Sequence, residues 1–172
     1  VRIEGQAPGV ASKKIISYLP DRNYLSDWMK VEDAFKLFED FYADFDRKRA
    51  EDMLQSLNIE KTARLKTLSK GTLEKVQLVL IMARRAKLYV LDEPIAGVDP
   101  AARDYILQTI LKNYAEDSSI LISTHLITDI EKVLDEVLFL QNGRIVLQGA
   151  VDDIRAEYGK SIDSLFREVF KC

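Results

Sequence analysis

The spacing of apolar residues changes period several times along the chain, and each change predicts an element. Val1 to Glu4 and Ser12 to Leu19 read as two strands, separated by a loop that holds Pro8 and Gly9. Leu19-Pro20-Asp21-Arg22-Asn23 ends the second of them, because proline and the short polar residues break a ladder. From there the period becomes helical. Val31, Phe35, Phe38 and Tyr42 fall on one face, joined by Ala34 and Phe41, and Ala50, Met53, Leu54 and Leu57 do the same in a second helix. These two predict a helical lobe over roughly 25–67. A third helix opens at Leu68-Ser69-Lys70-Gly71-Thr72 and runs to about Arg85. It is apolar on nearly every side, which predicts burial, with Ser69 as its N-cap and Arg84 and Arg85 at its negative end.

Leu88-Tyr89-Val90-Leu91 has no polar break, the pattern of a parallel strand covered on both faces. Asp92 and Glu93 follow where that strand should emerge, and ligands of open α/β sheets bind at the carboxyl ends of strands. Asp99-Pro100 starts a helix to Tyr114, since aspartate favours the cap and proline the first helical position. Ile120 to Thr124 is a second apolar strand, which completes a strand–helix–strand unit with parallel strands. His125, the single histidine, stands just past it, so it is expected to converge with the acid pair. Ile130 to Val133 read as helical. Val137 to Leu140 and Ile145 to Leu147 flank Asn142-Gly143, a strong hairpin signal. Ile162, Leu165, Phe166, Val169 and Phe170 form the apolar stripe of a closing helix.

Composition narrows the possibilities. A chain of 172 residues can bury a core of its own. Its formal net charge of −3 lacks the basic excess of a nucleic-acid binder. The longest apolar run, Val76 to Ala83, is interrupted at Gln77 and far too short to span a bilayer. The single cysteine, Cys172, can form no internal disulfide, which fits a reducing compartment.

Four of these stretches together resemble the motifs of ATP-binding-cassette (ABC) ATPases. Leu68-Ser69-Lys70-Gly71-Thr72 is similar to the L-S-G-G-Q signature, and Leu88 to Pro94 to the Walker B strand with its glutamate. Ala96-Gly97-Val98-Asp99 is similar to the D-loop, and His125 to the switch histidine. The order matches, with 23 residues from Ser69 to Asp92 and 32 from Glu93 to His125. The resemblance implies an α/β fold of the P-loop NTPase type: an incomplete RecA-like parallel sheet core, an inserted α-helical signature subdomain, and a C-terminal β-hairpin and helix. The division it implies is a core of 1–24 and 86–150, a signature subdomain of 25–85 and a helical tail of 151–172.

The resemblance also implies roles. Asp92 would hold Mg²⁺, Glu93 would act as the base on the attacking water, and His125 would contact the γ-phosphate. Ser69, Lys70 and Gly71 would face ATP held by an opposite subunit, and Asp99 would reach across the same dimer. The implied function is an ATP-binding and hydrolysing subunit, with ATP and Mg²⁺ as cofactors. It would work as a homo- or heterodimer on the cytoplasmic face of the membrane, peripheral to a transmembrane permease that docks near Asp21, with Trp28 and Met29 as candidate contacts. No nucleic-acid partner is expected.

Two positions depart from the pattern. Asp21 stands where the family carries its Q-loop glutamine, and a carboxylate cannot donate a hydrogen bond as an amide does. No G-x-x-x-x-G-K-[ST] occurs in the sequence, so the phosphate-cradling Walker A loop is absent from it. The expectation is a chain truncated before Val1 and inactive by itself. The alternatives are a degenerate, non-catalytic cassette serving as a regulatory or assembly partner, and a soluble cassette ATPase of ribosomes or DNA.

Overall fold

The strand read from Leu88-Tyr89-Val90-Leu91 is the middle of a three-stranded parallel sheet in the computed structural model. The structure describes residues 1–96, 98–114 and 117–170, without the side chains of Ala101 and Ala102. Gly97 and Cys172, on which the sequence reading touched, lie outside the described residues. The chain divides into two compact units, residues 1–124 and 125–172.

The first unit contains α1 (Val10–Lys14), β1 (Ile16–Leu19), α2 (Val31–Phe41), α3 (Arg47–Ser56), α4 (Lys70–Met82), β2 (Leu88–Asp92), α5 (Pro100–Asn113) and β3 (Ser119–Ser123). Strand order is β1-β2-β3, with Leu19 beside Leu91 and Asp92 beside Ser123. All three strands therefore end at one edge. The helix periods are borne out in α2 and α3, which bury Val31, Ala34, Phe35 and Phe38, and Ala50, Met53 and Leu54; Phe41, expected on the same face, is instead 75% exposed at the last turn of α2, and Tyr42 falls just past it. Phe38 and Phe35 pack against Phe45 at ring separations of 5.7 and 5.9 Å. Helix α4 is buried continuously from Val76 to Met82.

Three sequence expectations are corrected. Val1 to Glu4 is no strand: Ile3 and Gln6 bond each other around a tight turn at Glu4 and Gly5, both in left-handed conformation. Ser12 to Leu19 is not one strand but α1 followed by β1. The Ser12 hydroxyl donates to the Gly9 carbonyl at 3.0 Å and accepts from the Gly9 amide at 2.8 Å, and this local capping closes a helical turn where a strand was expected. The sheet, finally, is covered on one face only. Ser17, Leu19, Tyr89 and Leu91 are buried, whereas Tyr18 and Leu121 on the other face are each 50% exposed. Helix α4 accounts for the covered side, because the Ser17 hydroxyl reaches the Ile81 carbonyl at its end (2.9 Å, buried).

The second unit contains α6 (Ile127–Ile130), a 3₁₀ turn at Glu131–Val133, β4 (Glu136–Gln141), β5 (Arg144–Ala150), α7 (Val151–Tyr158) and α8 (Ile162–Phe170). Strands β4 and β5 are antiparallel and turn at Asn142-Gly143, both with positive φ, as a two-residue hairpin of the favoured hand requires. The stripe of α8 packs into a cluster with Val137, Phe139, Val151 and Ile154.

Candidate functional site

Parallel pairing places the last residues of β1, β2 and β3 at one edge, where Asp92, Glu93, Ser123 and Thr124 meet. Asp92, the last residue of β2, accepts a hydrogen bond from the Ser123 hydroxyl beside it. Glu93 turns out of the strand with φ 48°, a left-handed conformation that a non-glycine residue adopts at a cost. Its backbone amide donates to the Ser123 carbonyl at 2.9 Å, and its Oε2 accepts from the Thr124 hydroxyl at 3.1 Å. Ser123 and Thr124 thus hold the acid pair. The sequence reading assigned them no role, although two hydroxyl residues closing an apolar strand were the available signal.

Asp21 lies two residues beyond β1, exposed, at the same edge. Burial pushes the Glu74 carboxyl of α4 above its ordinary pKa; Lys70 opposes that rise and Asp21 adds to it. The first turns of α4 are therefore within electrostatic reach of the Asp21 segment. At the head of α4 the Ser69 hydroxyl accepts from the Thr72 amide at 3.2 Å, the expected N-cap. Lys70 is 80% exposed with its ammonium 3.8 Å from Glu74. Gly71 has open space where a Cβ would stand, so packing within the chain does not demand a glycine there. Asp99 precedes α5, and its carbonyl accepts from the Arg103 amide at 3.3 Å. His125 is exposed and is the first residue of the second unit.

Arg84 and Arg85 do not act as the helix-end charges anticipated. Arg84 is buried, with Nε 3.0 Å from Asp44 Oδ1 and further bonds to the Ile16 and Lys14 carbonyls at 2.6 and 2.8 Å. Arg85 pairs with Asp46 at 3.0 Å. No group of three or more metal-ligating side chains occurs among the described residues. Two concavities of the first unit are lined by residues other than the acid pair, one around Arg49 and Asn113 and one around Val10 and Phe41.

An acid pair at the carboxyl edge of a parallel sheet stands where open α/β folds bind their ligands, and likeness to known proteins gives that fold its class, the P-loop NTPase. A family profile described as "AAA domain, putative AbiEii toxin, Type IV TA system" matches residues 13–128. The ABC transporter ATP-binding protein YtrB of Bacillus subtilis is 32% identical over 149 residues, covering 86% of this chain and 51% of that protein. An uncharacterized ABC transporter ATP-binding protein of Methanocaldococcus jannaschii is 32% identical over 144 residues, 81% of this chain and 55% of that protein. A solved structure titled "Structure of ATP binding subunit of ABC transporter" superposes with a TM-score of 0.84 at 27% identity, over 98% of this chain and 75% of its own. The chain belongs to the ABC ATP-binding family of P-loop NTPases. It spans about half the length of the curated relatives it matches.

Proposed function

We propose that this chain supplies the acid-pair and signature parts of the ATP site in the ATPase subunit of an ABC transporter, and that closure of two such subunits on ATP drives a transmembrane permease. The observation that carries the reading is the acid pair at the end of β2, with Glu93 fixed by both the Ser123 carbonyl and the Thr124 hydroxyl. In this role Glu93 takes the proton of the attacking water, and His125, an imidazole that can donate from either ring nitrogen, orients that water and the γ-phosphate. Asp99 caps its helix and contacts the opposite subunit.

The residues fit the cofactors. Mg²⁺ prefers hard oxygen ligands, keeps several waters and binds protein through one or two carboxylates together with phosphates. A lone carboxylate at Asp92 meets that need without a cluster. When bound, Mg²⁺ neutralises charge on the phosphates during transfer. The head of α4 offers free backbone amides behind the Ser69 cap. Glycine inside a helix costs about 0.5–1 kcal/mol relative to alanine, so the open space at Gly71 supports a close approach by phosphate there. Lys70 adds positive charge, and Asp21 would help to hold Mg²⁺ through a water.

Residues 25–85 form the signature subdomain in this reading, between core segments 1–24 and 86–150, with 151–172 as a tail. The permease docks between core and subdomain, near Asp21 and the first helix of the subdomain, α2. Of the two candidate contacts, Trp28 is 71% exposed and suited to the role, whereas Met29 is buried and belongs to the core. The subunit would sit on the cytoplasmic face of the membrane; no helix among the described residues is long and apolar enough to cross one. Without a Walker A loop in its sequence, the chain as written should bind Mg-ATP weakly and not turn it over. The deciding experiment is Mg-ATP turnover by the protein encoded in its complete reading frame, beside Glu93→Gln. Turnover abolished by Glu93→Gln is the expected result. A natural protein with no turnover favours the non-catalytic regulatory partner, to which Asp21 also points.

A further inference from the structure

At the end of β1 opposite the acid pair, a groove of about 410 Å³ opens between α1 and the end of α2. Its walls are Val10 and Phe41, 78% and 75% exposed. These are large apolar side chains left in water on either side of one concavity. Its floor is spent: Arg84 and Asp44 are bonded to each other, and the Arg84 guanidinium lies over the Tyr42 ring at 3.8 Å. Its rim is basic. Lys13 and Lys14 follow Val10 on one face of α1, three and four residues on. Neither makes an ion pair among the described residues, although the chain as a whole is acidic.

We propose that this groove is a docking surface for a segment of a partner protein that carries apolar side chains flanked by carboxylates. Charge complementarity selects that occupant: the apolar walls accept aliphatic or aromatic side chains, and the only charges left to satisfy are two ammonium groups. A second copy related by a two-fold axis would bring Lys13 and Lys14 against their own equivalents, which like-charge repulsion disfavours. Because the groove lies at the far end of β1 from Asp92 and Glu93, the proposal stands independently of the ATPase reading.

The test uses the whole chain and a fluorescent, end-capped helical peptide with leucines at i, i+3, i+4 and i+7 and glutamates beside them, followed by anisotropy. Its counterpart has lysine at each glutamate. The glutamate peptide should bind saturably and the lysine peptide should not. The double variant Lys13→Glu/Lys14→Glu should weaken the glutamate peptide about tenfold, as two exposed pairs are lost and two repulsions gained, and should admit the lysine peptide. Phe41→Ser, an exposed change that leaves the melting temperature in place, should weaken it about tenfold as well, since it removes a buried anchor. Absence of saturable binding, or affinities that ignore both variants, overturns the proposal. Stronger association with phosphatidylserine vesicles than with the peptide overturns it in favour of a membrane surface. Dimerisation that Phe41→Ser abolishes overturns it in favour of a second copy.

Discussion

Arg84 and Asp44 form a two-pronged ion pair, Nε to Oδ1 at 3.0 Å and Nη2 to Oδ2 at 3.1 Å, with the arginine side chain 2% exposed and the aspartate 26%. With the bonds to the Lys14 and Ile16 carbonyls, four of the five guanidinium N–H groups are used. The pair ties the turn after α2 to α1 and β1, and so fixes the helical lobe against the first strand.

Breaking that tie should unfold the lobe contact rather than merely loosen it. Removing one partner of a buried pair costs about 3–5 kcal/mol, because the survivor is left uncompensated. Arg84→Met and Asp44→Leu should each cost that much in urea denaturation. The double variant should cost clearly less than their sum, since it leaves no buried charge. Additive losses would mean that the two side chains act separately.

Glu93 separates backbone strain from side-chain chemistry. Its φ of 48° is left-handed, which costs an L-residue roughly 1–2 kcal/mol that glycine does not bear. Glu93→Ala and Glu93→Gly both delete the carboxylate held by Thr124. Glycine should nevertheless give the more stable protein, by about 1 kcal/mol after its greater unfolded-state entropy is counted. A calorimetric comparison of the two decides it; equal stability would show that the turn relaxes freely.

The parts of this fold visible in the sequence were those with a strong local signal. The continuous apolar run of β2, the Asn142-Gly143 turn and the Ser69 cap each act through neighbours in the chain, and all three elements are found, although the sheet around β2 is covered on one face where the run predicted cover on both. The acid pair was visible for the same reason, as a break in polarity at a strand end. What the sequence concealed depended on partners far along the chain. Arg84 looked like a helix-end charge because nothing local reveals Asp44, forty residues earlier, or the Ile16 carbonyl. Ser123 and Thr124 looked like a strand end until β3 was laid beside β2. The α1 turn was hidden because Lys13-Lys14-Ile15-Ile16 continues an extended-looking run, while the Gly9–Ser12 contact that closes the helix is a matter of geometry.

Glu74 is a carboxylate whose charge disfavours the fold. Burial, opposed by Lys70 and reinforced by Asp21, raises its pKa, and its Oε2 is buried without a hydrogen-bond partner. A carboxyl with a raised folded pKa contributes stability below its unfolded value and loses it as pH climbs through the folded one. Glu74→Gln should therefore melt no lower than the natural chain at pH 7, and any advantage should vanish near pH 4. A melting temperature lowered at pH 7 would show that the Lys70 contact outweighs burial.

Glu131 presents the opposite sign. Burial pushes its carboxyl up, but the Ile162 amide at 2.9 Å, Arg155 at 2.8 Å and the Asp163 amide at 3.3 Å together hold its pKa below the ordinary value. The two amides are the first of α8, so the carboxylate satisfies donors that the helix cannot, at its positive end. A depressed folded pKa contributes stability that is complete above the unfolded value, about 4.3 for glutamate, and is lost as pH falls through the folded one. Glu131→Gln retains the shape but cannot supply charge to Arg155, and should cost about 1–3 kcal/mol at pH 7. The loss should shrink as the pH of the urea titration is lowered through 4 towards 3, because the natural chain is then surrendering the same contribution. A gap between the two proteins that stays constant over that window would place the stabilisation in the amide contacts alone, with the charge contributing nothing.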